Sequence, residues 1–478
     1  MHLHDLVPEL LFLILQALDD PRDLQSVIKA SAQCFRVYAR SQGLILSSVL
    51  KNAILPEALH HAVACERIPA TPSDPRLQQI QPLEAFLDKY FQANSFELPT
   101  GYPTAVALCR LYSQISYFID DYSTRAMRAL DLEPDAGRTM ALLALSSTER
   151  ARLQRAFFRY ELYCRVFPVK HDARYCSLVP AKAQFTQFLA RIQPWEAEEM
   201  CCVHHYFTSL IGSFMDDLED QVVEAVLTTP GVRRPPGLAR SPSPSPAKRR
   251  RIRAPTTAGG LVDDSSVHSE PIHTDDWRSR ADNSDMVFFD HLDLRDLDLF
   301  SRDGRFRSSN FISYLASLGS AFVYQLVLAN KNQRKDMIRE NTPVWRDFLP
   351  EALDCAPDTG TKTVVPDEID GNHPSRPNLG YFWFKHSEQD VYSHIHHAGT
   401  LNCPLRERAF VFWDAERILC PQVNNNLRKA RYVNPRKVNL LFNRYKGKSA
   451  EERLEGVMIP KAQMESIIEE FGSVFDSW

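Results

Sequence analysis

A chain of 478 residues is longer than one hydrophobic core organises, so two or three structural units are expected. Its 44% hydrophobic and 24% charged residues are ordinary for folded proteins and exclude a chain that is disordered or membrane-embedded throughout. The 56 basic and 60 acidic residues give a net charge of −4, which excludes a globally basic nucleic-acid binder and leaves room for a local basic stretch.

From Pro8 to Leu18 the run PELLFLILQAL predicts a helix whose apolar side chains surround most of its circumference, so most of it must be covered. It stops at Asp19-Asp20-Pro21, where Asp20 can cap a second helix, Pro21 can occupy its first position and Asp23 adds favourable first-turn charge. Leu24, Val27, Ile28 and Ser31 then share one face. A third helix is expected from Gln33 to Arg40, with Phe35 and Tyr38 one turn apart, and a fourth from Leu44 to Ala53.

After a proline-punctuated stretch from Ile68 to Pro82, long helical patterns run to Leu227. The strongest spans Thr148 to Phe167, where Leu153, Ala156, Phe157, Tyr160, Cys164 and Phe167 trace one face and Ser147 or Thr148 can cap. Another opens at Pro194 and carries Val203, Phe207, Leu210, Ile211, Phe214 and Leu218 on its apolar face. From Thr228 to Asp285 the chain is rich in proline, serine and basic residues and poor in large apolar ones, which predicts a disordered insertion. Helical patterning resumes near Asn310 with FISYLASLGSAFVYQLVLANK, then from Val344 to Leu353, with a polar loop from Ala356 to Asn378 and a helical tail from Met458 to Phe471. Tyr381 to Phe384 and Phe410 to Trp413 read equally as strand or helix. The expected fold is mainly α: an N-terminal module over 1–53, a helical part over 54–227, the insertion over 228–285, and a helical part with short strands over 286–478.

The N-terminal run LVPELLFLILQALDDPRDLQSVIKASAQCFRVY resembles an F-box, the small helical module that docks onto the Skp-type adaptor of cullin-RING ubiquitin ligases. Leu6, Pro8, Glu9, Leu10, Leu11, Ile14, Leu18, Leu24, Val27, Ala30, Phe35 and Tyr38 stand where that family keeps its leucine-proline start, first-helix leucines and later apolar positions. Val7 stands where many members place proline. The continuation LILSSVLKNAILPEAL is similar to filamentous-fungal F-box proteins. The resemblance implies a three-helix F-box whose Leu6, Pro8, Leu10, Leu11, Ile14, Leu18 and Leu24 bind the adaptor. A cullin scaffold would then lie beyond the adaptor, the region after about residue 68 would bind a protein target, and no residue of this chain would do chemistry. Independently of the resemblance, a cluster of ~45 residues covers only part of an all-round apolar helix, so its remaining face must meet a partner or the rest of the chain.

Other motifs carry less. Ten cysteines without C-x-x-C spacing suit a reduced compartment, the N-terminus lacks the basic start of a secretory signal, and no apolar run approaches the ~18 residues of a membrane span. Cys201, Cys202, His204 and His205 are dense in soft ligands, and Cys201 and His205 would share a helix face, but two ligands do not make a zinc site. His394, His396 and His397 with Cys403 lack a carboxylate partner. Asp216-Asp217-Leu218-Glu219-Asp220 resembles the magnesium motif of terpene synthases, but the second metal motif such enzymes need is missing from the sequence. The solvated face of a helix is the simpler reading. No cofactor is expected.

Lys248, Arg249, Arg250, Arg251 and Arg253 have the form of a nuclear-import signal for an import receptor. Ser241, Ser243 and Ser245 each precede proline, and a phosphate there would compete for those cations. The expected function is therefore the substrate-recognition subunit of an SCF-type ubiquitin ligase, in the nucleus and shared with the cytoplasm. The alternatives are a nuclear scaffold or regulatory protein with an F-box-like cluster outside a ligase, and, remotely, a helical terpene-synthase-like enzyme.

Overall fold

The computed structural model describes residues 6–69, 80–92, 97–130, 144–168, 179–234, 285–288, 304–341, 348–356, 373, 376–383, 404–431, 453–454, 456–463 and 466–467. Described residues are almost entirely helical, as the patterning requires. They fall into two compact units, one formed by 1–213 with 309–442 and the other by 214–308 with 443–478. This division differs from the one expected from sequence. The N-terminal helices are not a separate unit, and the C-terminal third is shared between the two.

In the first unit α1 (Pro8–Gln16), α2 (Pro21–Ala30), α3 (Ala32–Arg40) and α4 (Gln42–Ala53) form the expected cluster. Asp20 caps α2 by accepting from the Arg22 N–H at 2.7 Å, and Pro21 fills the first helical position. The cluster continues into the body through α4, which packs on α7 (Tyr102–Ala129) and draws Ala105 into the same core as Leu11, Leu15, Ile45 and Val49. Only glycine fits at position 43, because a Cβ there would lie 2.1 Å from the Thr100 carbonyl oxygen. Next, α5 (Pro56–Cys65) packs along α8 (Ser147–Val166), with α6 (Ile80–Gln92) between α5 and α7 in sequence. The junction between α4 and α5 is held by Gln154 of α8, which donates to the Ala53 carbonyl at 3.1 Å and accepts from the Leu55 N–H at 2.8 Å.

Helix α8 is the axis of this unit. Its cap is Ser146, one residue earlier than expected, because only Ser146 is three residues before Glu149 and can exchange both bonds of a capping box. Every residue from Ala151 to Cys164 is buried, not just the apolar face that the periodicity picks out. The arginines are neutralised in place. Arg155 meets Glu199 at 2.5 Å and Arg159 meets Glu196 at 2.9 Å, both on α10 (Pro194–Thr228), which follows the short α9 (Ala181–Gln187). Arg152 pairs with Asp414 at 2.9 Å, and Glu149 takes both ends of the Arg417 guanidinium. Such pairs are costly to desolvate, so their net contribution to stability is small, whereas removing one partner alone is strongly destabilising.

The apolar run after Asn310 splits into α11 (Gly304–Ser317) and α12 (Ser320–Leu328), bent by 107° at Gly319. Gly319 has φ +89°, and Glu161 of α8 lies against it, accepting from the Ser320 N–H at 2.8 Å and its hydroxyl at 2.7 Å. A buried carboxylate thus caps α12 from another helix. Among the described residues no single helix is long and apolar enough to cross a membrane. Beyond α13 (Lys331–Glu340) and α14 (Leu349–Asp354) come short helices α15 (Leu379–Tyr381), α16 (Pro404–Glu407), α17 (Ala415–Leu419) and α18 (Pro421–Arg431). Tyr381 is therefore helical, while Phe410 to Phe412 form a turn following Ala409 at φ +52° and Trp413 is in no regular element.

The second unit contains the end of α10, β1 (Met286–Phe288) and β2 (Met458–Pro460). Met458 to Pro460 is a strand and not the start of the expected helical tail, because β2 is paired on both edges, antiparallel with β1 and through Met458 with Arg233. The first residues of the expected disordered stretch, to 234, are consequently ordered. With strands ~4.8 Å apart, residues 234 and 285 stand roughly 15 Å from each other across β2. Replacing 236–283 by a ~12-residue Gly/Ser linker should leave the unfolding free energy from urea titration within ~0.5 kcal/mol of the parent. A loss beyond ~2 kcal/mol would show that the insertion belongs to the folded core.

Candidate docking surface

The geometry of α1 follows from its ends. Val7 is extended, Pro8 starts the helix and Glu9 adds favourable first-turn charge. Gln33 of α3 donates to the Leu6 carbonyl at 3.0 Å, and Asn52 of α4 donates to the carbonyls of Gln16 and Leu18 at 2.9 and 3.0 Å. Both ends are therefore tied to neighbouring helices, which sets the rotation of α1 about its axis.

That rotation buries Leu11 and Leu15 completely and turns Val7, Leu10, Leu13 and Ile14 outward, at 53, 45, 58 and 40% exposure. At 3.6 residues per turn the exposed side chains form an apolar stripe roughly 120° wide. Phe35, at the beginning of α3, is 53% exposed. Behind the stripe, Leu24, Cys34, Tyr38 and Leu46 complete the core. Burial, then the neighbouring Tyr102 hydroxyl, pushes the Tyr38 phenol above its ordinary range, and burial pushes the Cys109 thiol up to about 12, so this core is uncharged.

The seven expected docking residues divide accordingly. Pro8, Leu10 and Ile14 are exposed and Leu6 and Leu18 half-buried. Leu11 and Leu24 are corrected to core residues, since each faces the interior of the four-helix cluster and offers no surface. Sequence reasoning missed Val7, Leu13 and Phe35 as surface groups. The spacing Val7, Leu10, Ile14 was the signal available for the first.

The other motifs are internal or lie elsewhere. Cys201, Cys202, His204 and His205 are buried, and His204 is held between the Tyr160 hydroxyl at 3.0 Å and the Ser313 hydroxyl at 3.2 Å. Because Tyr160 also donates to the Ala316 carbonyl at 3.2 Å, it accepts from Nδ1–H of His204, leaving Nε2 to accept from Ser313. Burial, then Arg406, pushes His204 and His205 down to about 3. Among the described residues no three His, Cys, Asp or Glu side chains are placed to hold a metal ion. Asp216 and Glu219 are buried, which corrects their reading as a solvated face, and Asp220 pairs with Arg453 at 2.7 Å. His394, His396, His397, Cys403, the basic residues Lys248, Arg249, Arg250, Arg251 and Arg253, and Ser241, Ser243 and Ser245 lie outside the described residues.

No protein-family model, curated protein or solved structure matches this chain.

Proposed function

We propose that the α1 surface docks a Skp-type adaptor and that the chain is the substrate-recognition subunit of a cullin-RING ubiquitin ligase. The observation that carries this reading is the apolar stripe of Val7, Leu10, Leu13 and Ile14, left outward on a helix tied at both ends, in the stretch that resembles an F-box. Isolated exposed apolar side chains are normal, but a contiguous stripe on a rigid helix suits a partner. In this reading the cullin scaffold is reached through the adaptor, the helical body binds the protein target, and catalysis belongs to the partners. The basic run at 248–253 supports delivery to the nucleus by an import receptor.

Ile14→Asp should abolish adaptor capture by the full-length chain, because docking would bury an unpaired carboxylate at a cost of several kcal/mol. The position is 40% exposed in the free protein, so circular dichroism should be unchanged and the loss of stability read from urea titration should stay within about 1–2 kcal/mol. Undiminished capture of the adaptor by folded Ile14→Asp protein would refute the docking assignment.

A further inference from the structure

Between Leu24 and Pro56 the chain carries Lys29, Arg36, Arg40 and Lys51 and no acidic residue. All four cations are exposed, and none of them has an ion-pair partner among the described residues. Arg36 and Arg40 stand one turn apart on α3, where like charges repel, beside exposed Phe35. No carboxylate among the described residues pairs with either arginine to offset that repulsion. The start of α3 adjoins the start of α1 through the Gln33 to Leu6 hydrogen bond, so the cationic row begins next to the apolar stripe.

We propose that the partner covering the α1 stripe carries carboxylates beside its apolar groove and that these carboxylates pair with Arg36 and Arg40 of α3. The proposal rests on the reading of α1 as the adaptor-docking helix and adds the chemistry of the partner's rim. A planar guanidinium that has no internal partner and sits at the edge of an apolar patch matches a carboxylate in two-bond geometry. Nucleic acid or an anionic lipid surface fits less well, because its negative charge extends over the whole contact and would also meet Glu9, Asp19 and Asp23 of the same cluster, whereas carboxylates confined to the rim of an apolar groove need approach only the arginines. Rim charges of this kind act on encounter. They speed association at low salt and fade once the Debye length falls below the separation of the charges.

The test uses the full-length chain and a purified Skp-type adaptor at ~50 and ~300 mM salt, with association and dissociation rates measured separately. The parent should bind more weakly at high salt. The Arg36→Glu/Arg40→Glu variant should lose about tenfold in affinity at low salt, mainly by slower association, and most of its salt dependence. Its urea midpoint should match the parent, since neither arginine has an internal partner to lose. Arg428→Glu/Lys429→Glu, an equal charge change on the exposed side of α18, should keep the parent's affinity. If the α3 variant binds like the parent, or the α18 control loses as much, the acidic-rim proposal is overturned while adaptor docking stands. Absence of adaptor binding by the parent at either salt overturns the adaptor reading itself. Binding to phosphatidylserine vesicles or duplex DNA that the α3 variant loses, with adaptor binding intact, would reassign the arginines to those surfaces.

Discussion

Replacing Arg406 by Met should destabilise the protein by about 3–5 kcal/mol, read from the urea midpoint. Arg406 and Glu198 are 2 and 0% exposed and share two parallel bonds of 2.8 and 3.0 Å. Met fills most of the volume of the arginine stem but leaves the Glu198 carboxylate in the core without its cation. The large loss comes from that stranded charge, not from the worth of the pair. Adding Glu198→Leu to Arg406→Met should therefore recover most of the stability, to within ~1–2 kcal/mol of the parent or above it. The backbone bond from the Tyr122 hydroxyl to the Arg406 carbonyl, 2.6 Å, survives in both variants and keeps the segment in place. A loss below ~1 kcal/mol in the single variant would mean that water reaches Glu198 and that the pair is not buried as described.

Acid should unfold the protein early. His204 and His205 are held neutral by burial, then by Arg406, and in the folded protein each protonates only at about 3, against an ordinary value of 6.5. Below about pH 6 the unfolded chain therefore takes up two protons that the folded protein refuses. Stability falls by about 2.7 kcal/mol per pH unit as pH drops from ~6 toward 3. His61 adds in the same direction. Burial, then Arg159, holds it well below its ordinary range, and its Nε2 lies 3.3 Å from the Arg159 guanidinium while Nδ1 meets the Tyr90 hydroxyl at 2.7 Å. Urea midpoints measured at half-unit steps from pH 7.5 to 4.5 would show the slope. His205→Gln should reduce it by about 1.4 kcal/mol per pH unit. A flat profile between pH 6.5 and 5 would show that these histidines take up protons in the folded protein as readily as in the unfolded chain and would refute their being held neutral.

How much of this could be read from the amino-acid order alone varies with the range of the interaction. Local signals were sufficient at Asp20-Pro21 and at Pro194, because a cap or a proline acts within one turn. The start of α8 was off by one residue, since serines at 146 and 147 compete and only the reciprocal bond with Glu149 decides between them. Within α1 the apolar residues were plain, but not which of them face outward. Leu11 and Leu10 are chemically the same, and the rotation of the helix is set by Gln33 and Asn52, 27 and 34 to 36 residues away in sequence.

The sequence by itself determined the mainly helical composition, the placing of the principal helices and the apolar excess of α1, because periodicity, caps and prolines are properties of neighbouring residues. The tertiary structure decided which charges are internal. On α8 the order of residues shows one apolar face and several arginines and glutamates that look solvated. Their partners Glu196, Glu199, Asp414 and Arg417 come from distant segments, and only when these converge does burying the polar sides of the helix become tolerable. The break at Gly319 and the strand at Met458 have the same cause. The Glu161 carboxylate caps the start of the second helix beside Gly319 at φ +89°, and pairing with Arg233 and β1 holds an extended conformation where local preference favours a helix.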